Sequence, residues 1–135
     1  MEYLDAELDA LWHQIRVLDN QIVRGETLEL SEGVRTLLLR AALTVAIGHD
    51  DAEVALRNVE SATALLRKIR ERIREGSNRI GDALFRMYDL QKAGDLEGAR
   101  QQMRDVLAVE VVPHYREIAE GEIEKLDDLP GDRTA

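Results

Sequence analysis

The sequence has no cysteine, and among its 135 residues only two prolines, one tryptophan, one phenylalanine and three tyrosines. Without cysteine, disulfides, thiolate catalysis and thiolate-held zinc are excluded. The nine glycines stand singly, so no glycine-rich loop is present to cradle a phosphate. The longest uncharged apolar run, Ala41 to Ile47, falls far short of the ~20 residues that cross a bilayer. The opening residues Met1-Glu2-Tyr3-Leu4-Asp5 are acidic and lack the basic region of a secretory signal. These absences predict a cytoplasmic protein. Its length fits one domain, expected over residues 1–126, followed by an acidic flexible tail over 127–135.

Charge of one sign is also in short supply. Eighteen Lys and Arg stand against 27 Asp and Glu, giving a net charge of -9. Nucleic acids and anionic membranes are therefore not expected partners, since both demand a surplus of cations. The distribution is uneven. Glu2, Asp5, Glu7 and Asp9 make the start acidic, and residues 117–135 carry seven acids and two bases. Residues 67–79 are the reverse, with six bases and two acids.

What is present is helical periodicity. Leu4, Leu8, Leu11, Ile15, Leu18 and Ile22 recur at steps of three or four, predicting a first helix over about 3–23 that Gly25 stops. Leu28 and Leu30 lie in a connector and tuck into the core. Ser31 is the expected N-cap of a second helix that runs to Ile47 and is apolar on more than one face, which makes it the expected most buried element. Asp50 with Glu53 reads as an acidic capping box for a third. Lys92-Ala93-Gly94-Asp95 closes one helix and opens the next, and Pro113 kinks or restarts the chain.

Between these lies the most regular pattern. Ala52, Ala55, Val59, Ala62, Leu66, Ile69, Ile73, Gly76, Ile80, Ala83, Met87 and Leu90 alternate steps of three and four. Sustained phase predicts a long helix or a coiled coil. Gly76-Ser77-Asn78 argues for a break, because glycine suits a helix end and Ser or Asn suits the next cap. A straight helix over 51–92 would be about 63 Å long, against a diameter of roughly 37 Å for a compact chain of this length. A break or bend near Gly76 is therefore expected. The fold class is all-α, an antiparallel bundle of four to five helices.

Candidate chemistry is sparse. Glu110, His114 and Glu117 at i, i+4 and i+7 would align on an uninterrupted helix as metal ligands, but Pro113 disturbs that turn. Asp9 and His13, four apart, are the remaining acid–imidazole pair, and no nucleophile lies near them in sequence. No catalytic residue and no cofactor is expected. Arg67, Arg70 and Arg74 form a basic stripe, with Lys68, Arg72 and Arg79 beside it. No aromatic interleaves with it, so the expected counterpart is an acidic segment of this chain or of a second copy. Trp12, Phe85, Met87 and Tyr88 are expected in the core.

Ser61-Ala62-Thr63-Ala64-Leu65-Leu66, Ile73-Arg74-Glu75-Gly76-Ser77 and Met87-Tyr88-Asp89-Leu90-Gln91 resemble the DUSAM family, a paralogous set of small myxobacterial proteins. So does the run Ala93-Gly94-Asp95-Leu96-Glu97-Gly98-Ala99-Arg100-Gln101-Gln102-Met103 through Val111-Val112-Pro113-His114-Tyr115-Arg116. The resemblance covers roughly residues 10–126. It brings no catalytic residue or cofactor. Many paralogues in one lineage imply a role that diversifies, such as pairing with variable partners, and immunity against exchanged toxins fits that pattern.

The expected function is a non-enzymatic interaction module. It self-associates as a homo-oligomer through the heptad face, with Val59, Leu66, Ile69, Ile73, Ile80 and Met87 at the interface. The alternative is an acidic immunity or antitoxin-like protein that neutralises a basic effector. A metal-binding bundle enzyme using Glu110, His114 and Glu117 is the second alternative.

Overall fold

In the computed structural model, which describes residues 5–130, the protein is all-α. Six helices follow in order among the described residues: α1 Ala6–Val23, α2 Glu32–Thr44, α3 His49–Ala55, α4 Val59–Lys92, α5 Leu96–Val109 and α6 Pro113–Asp127. Their packing divides into two compact units. The first holds the described residues up to Arg74, and the second those from Glu75 onward.

The first unit contains α1, α2, α3 and the opening part of α4. Asp5 caps α1 by accepting the amides of Glu7 and Leu8 at 3.1 Å. Leu11 and Ile15 of α1 are buried, as the spacing required. Leu4 lies outside the described residues. Gly25, at φ 96°, ends the helix in the left-handed region that only glycine enters without strain. Leu28 is buried in the connector. Ser31 caps α2 as expected, its Oγ accepting the amide of Val34. The helix then stops at Thr44 rather than Ile47, and Leu43 stands 55% exposed, so α2 is less buried than its composition suggested. Ala46 turns the chain at φ 63°. The carbonyls of Val45 and Ala46 accept from Arg72 Nη1 at 2.8 and 3.1 Å, which satisfies groups left orphaned at a helix end.

Two corrections concern α3 and α4. Asp50 does not cap α3; Gly48 occupies that position and Asp50 lies in the first turn. The chain breaks not at Gly76 but at Leu56-Arg57-Asn58, where the Asn58 side chain caps α4 by accepting the Ser61 amide at 2.9 Å. Arg35 Nη1 donates to the Leu56 carbonyl at 2.9 Å and closes the end of α3. This short α3 takes the helix number to six where four to five were expected. From Val59, α4 is uninterrupted for 34 residues, straight through Gly76-Ser77-Asn78.

The second unit contains the rest of α4, α5 and α6. Gly94, at φ 84°, makes the turn, and Asp95 caps α5 by accepting the Gly98 amide at 2.8 Å. Pro113 restarts the chain as the first residue of α6, where its missing amide hydrogen costs nothing. Met87, Met103, Val112 and Leu126 are fully buried. Arg100 is buried between acids, its Nε donating to Asp127 Oδ1 at 2.6 Å. Asp127 is thus the last residue of α6 rather than the start of a tail; residues 131–135 of the expected tail lie outside the described residues.

Candidate functional site

The heptad seam is where interface residues were expected, and the structure turns it inward. Leu66, Ile69, Ile73, Ile80 and Met87 are all at most 8% exposed; of the six, only Val59 is substantially open. The face expected to meet a second copy is part of the protein's own core. A period of 3.5 reports a buried stripe and not what buries it.

The basic stripe is partly consumed within the first unit. Arg67 Nη1 meets the buried carboxylate of Asp19 on α1 at 2.8 Å. Asp19 lies on α1, beyond the acidic start formed by Glu2, Asp5, Glu7 and Asp9. Arg72 holds the end of α2, and Lys68 pairs with Glu71. Arg70 is half-buried, and Arg74 is exposed.

The three metal-ligand candidates do not converge. Glu110 follows α5 in extended conformation, before Pro113, so no continuous helix places it one turn from His114. Its carboxylate is buried and already engaged. Arg79 Nη1 donates to Oε1 at 2.7 Å, while the amides of Val111 and Val112 donate to Oε2 at 3.1 and 3.0 Å. Arg116 Nη1 donates to the carbonyls of Leu107 and Glu110 at 2.7 and 2.8 Å. Glu110 therefore fastens α4 to the start of α6. Among the described residues no group of three His, Asp or Glu is placed to hold a metal ion.

Asp9 and His13 are also not a pair. His13 Nδ1 accepts from Arg16 Nη2 at 2.8 Å, and no hydrogen bond joins Asp9 to the imidazole among the described residues. These side chains instead border a cavity of about 360 Å³ in the first unit. Trp12, Arg70 and Ile73 also line it, with the small Ala6 and Ala10. The Trp12 indole is held in place by its Nε1 donating to Thr44 Oγ1 at 2.9 Å.

The outer face of α4 in the second unit carries what the sequence reading missed. Phe85 and Tyr88 were expected in the core with Met87. Met87 is buried, but Phe85 is 71% and Tyr88 48% exposed. Gly81, Asp82, Phe85, Tyr88 and Asp89 are all exposed and recur at helical spacing on one side. Neither Asp82 nor Asp89 forms an ion pair among the described residues. A Cβ at Gly81 would meet nothing within 4 Å. The signal was present in the phase: position 85 lies opposite the seam formed by Ile80, Ala83, Met87 and Leu90.

The described residues thus form an all-α protein with a buried seam, buried charges that have partners, and an open acidic–aromatic face on α4. The chain belongs to the DUSAM family: the family model described as a protein of unknown function (DUF2379) matches residues 10–129. No curated protein and no solved structure matches it. Among the described residues, no helix is long and apolar enough to cross a membrane.

Proposed function

We propose that this protein is a non-enzymatic helical interaction module that docks a basic amphipathic helix of another protein on the outer face of α4. One observation carries the reading: the single phenylalanine of the chain, Phe85, is 71% exposed, with Tyr88 one turn on. Exposed aromatics in a chain that has so few are unfavourable in water unless covered, and aromatics anchor interfaces more often than other residues. The carboxylates of Asp82 and Asp89 flank the pair, so the complementary partner presents Lys or Arg around an apolar centre. Gly81 keeps the helix surface low beside Phe85, which favours close approach of a second helix. This is the chemistry of an acidic immunity-like protein that neutralises a basic effector.

The test compares the parent with Phe85→Asp in a pull-down from the source organism's lysate, followed by binding measurements with the purified partner. The expected result is a basic partner that is released by high salt and binds the variant at least ~30-fold more weakly, the loss typical of an interface anchor. Equal binding to both proteins overturns the reading. Light scattering on the purified chain covers the other occupant: a dimer that Phe85→Asp dissociates would assign this face to a second copy instead.

A further inference from the structure

Away from α4's outer face, the cavity of about 360 Å³ in the first unit gathers charges that the fold does not use. Other arginines of this unit have acceptors: Arg67 has Asp19, Arg72 the carbonyls of Val45 and Ala46, Arg35 that of Leu56, and Arg24 has Glu26. The two that line the cavity differ. Arg70 is half-buried and has no acceptor among the described residues, in contrast to the exposed Arg40, Arg57 and Arg74, which water solvates freely. Arg16 is exposed at the cavity rim, and its one acceptor among the described residues is an imidazole nitrogen, His13 Nδ1, rather than a carboxylate. Since guanidinium can only donate, the imidazole nitrogen is the acceptor in that contact and supplies no counter-charge. Asp9 is the one carboxylate in the lining, and it pairs with neither arginine among the described residues. It sits seven residues before Arg16, about 10 Å away along α1.

We infer that this cavity binds a small molecule through an oxoanion group, a carboxylate or a phosphate. Arg70 and Arg16 hold that group, and the apolar body lies against Trp12 and Ile73. Guanidinium forks match the paired oxygens of both anions, and the half-buried Arg70 is stabilised by an anion more than an exposed arginine would be, with Arg16 adding its charge from the rim. The volume falls within the range of small-ligand sites, and the mixture of an aromatic wall with a few convergent polar groups is their usual composition. The tether between Trp12 and Thr44 keeps that wall in place before any ligand arrives. Asp9 favours a ligand with a hydrogen-bond donor at its far end and disfavours a second anion there.

Trp12 is the only tryptophan in the chain and lines this cavity, so its fluorescence is a probe of binding there. The full chain is titrated with inorganic phosphate and, separately, with benzoate, at ionic strength held constant with chloride. The expected result is a saturable emission change with at least one of them. Saturation by phosphate only identifies a phosphate site, and saturation by benzoate only a carboxylate site. Arg70→Gln and Arg16→Gln each weaken binding tenfold or more, with circular dichroism unchanged, while the exposed Arg40→Gln leaves it as it was. A linear, unsaturable response to both anions overturns the inference, and so does an Arg70→Gln protein that binds as tightly as the parent.

Discussion

At the scale of single residues, what holds this protein is where its charges and its missing side chains fall. Gly76 lies mid-helix with ordinary helical backbone, so it is not there to turn the chain. A Cβ at this position would stand 2.5 Å from Cε2 of Tyr115 and 3.1 Å from Glu110 Oε1. The glycine lets α4 approach the start of α6 closely enough for Arg79 to reach Glu110. Two effects of Gly76→Ala oppose each other. Alanine favours the helix by up to about 1 kcal/mol, and overpacking costs about 1–3 kcal/mol. The overlap is with a buried ring rather than the tip of a flexible chain, so overpacking prevails. Gly76→Ala should lower stability in urea unfolding, whereas a glycine kept only for flexibility would give a gain.

Glu97, on the surface of α5, offers a test of charge. Its hydrogen bond from Arg104 and the Arg104 charge hold its carboxyl below the usual glutamate value, with Arg100 adding to the effect. A lowered folded value means that the stabilisation is present above the unfolded value and is lost as pH falls through the folded one. An NMR titration of the Glu97 side-chain carboxyl carbon should give a midpoint below the ordinary value. Arg104→Gln should move it up.

At the scale of elements, the decisive feature is the continuity of α4. The sequence Gly76-Ser77-Asn78 satisfies the local criteria for a helix end, yet the helix passes through it because the buried stripe keeps its phase on both sides. Ile73 and Ile80 are both buried, and an intervening break would rotate one of them out of the core. Holding these three residues in a helix costs about 2 kcal/mol in all, comparable to burying one isoleucine and less than keeping Ile73, Ile80, Ala83 and Met87 all buried. Ser77 and Asn78 are exposed and cap nothing among the described residues. Ser77→Ala and Asn78→Ala should each raise stability by about 0.5 kcal/mol, the propensity gain within a helix. At a true N-cap the same changes would lower it by about 1 kcal/mol, so thermal denaturation of the two variants separates these cases. A second property of the elements is how their ends close. α1, α2, α3 and α5 have no basic residue in their last turns, and remote arginines supply the missing donors for three of them: Arg72 for α2, Arg35 for α3 and Arg116 for α5. Three of the fifteen arginines thus serve to terminate helices.

At the scale of the whole molecule, the seam and the outer face of α4 make opposite demands on substitution. Leu66 is fully buried, and Leu66→Asp places a carboxylate in an apolar core with no partner. It should cost more than about 4 kcal/mol and abolish cooperative folding, rather than separate one folded copy from another. Phe85→Asp removes a ring that already meets water, and should change stability by less than about 1 kcal/mol while reducing partner binding. Far-UV circular dichroism and denaturant midpoints of the two variants distinguish a core seam from a docking face. A dissociated but folded Leu66→Asp protein would return the seam to the role of an interface between copies.

What covers the seam does not follow from the sequence alone, whereas the helical class, the phase of the seam and several helix ends do. Each depends on residues within a few positions of one another: Asp5, Ser31 and Asp95 act on amides two or three residues on, and the steps of three and four follow from the pitch of a single helix. The family too was legible in its local runs. The phase that buried Met87 also set Phe85 outside, though residue type alone pointed inward. Only the tertiary structure decided which charges were spent and which remained. Asp19 and Arg67 are 48 residues apart, and Arg79 and Glu110 are 31 apart. Whether such groups meet depends on how helices pack, which no local spacing encodes. The same packing turned Glu110 from a candidate ligand into a clasp and left Arg70 facing a cavity.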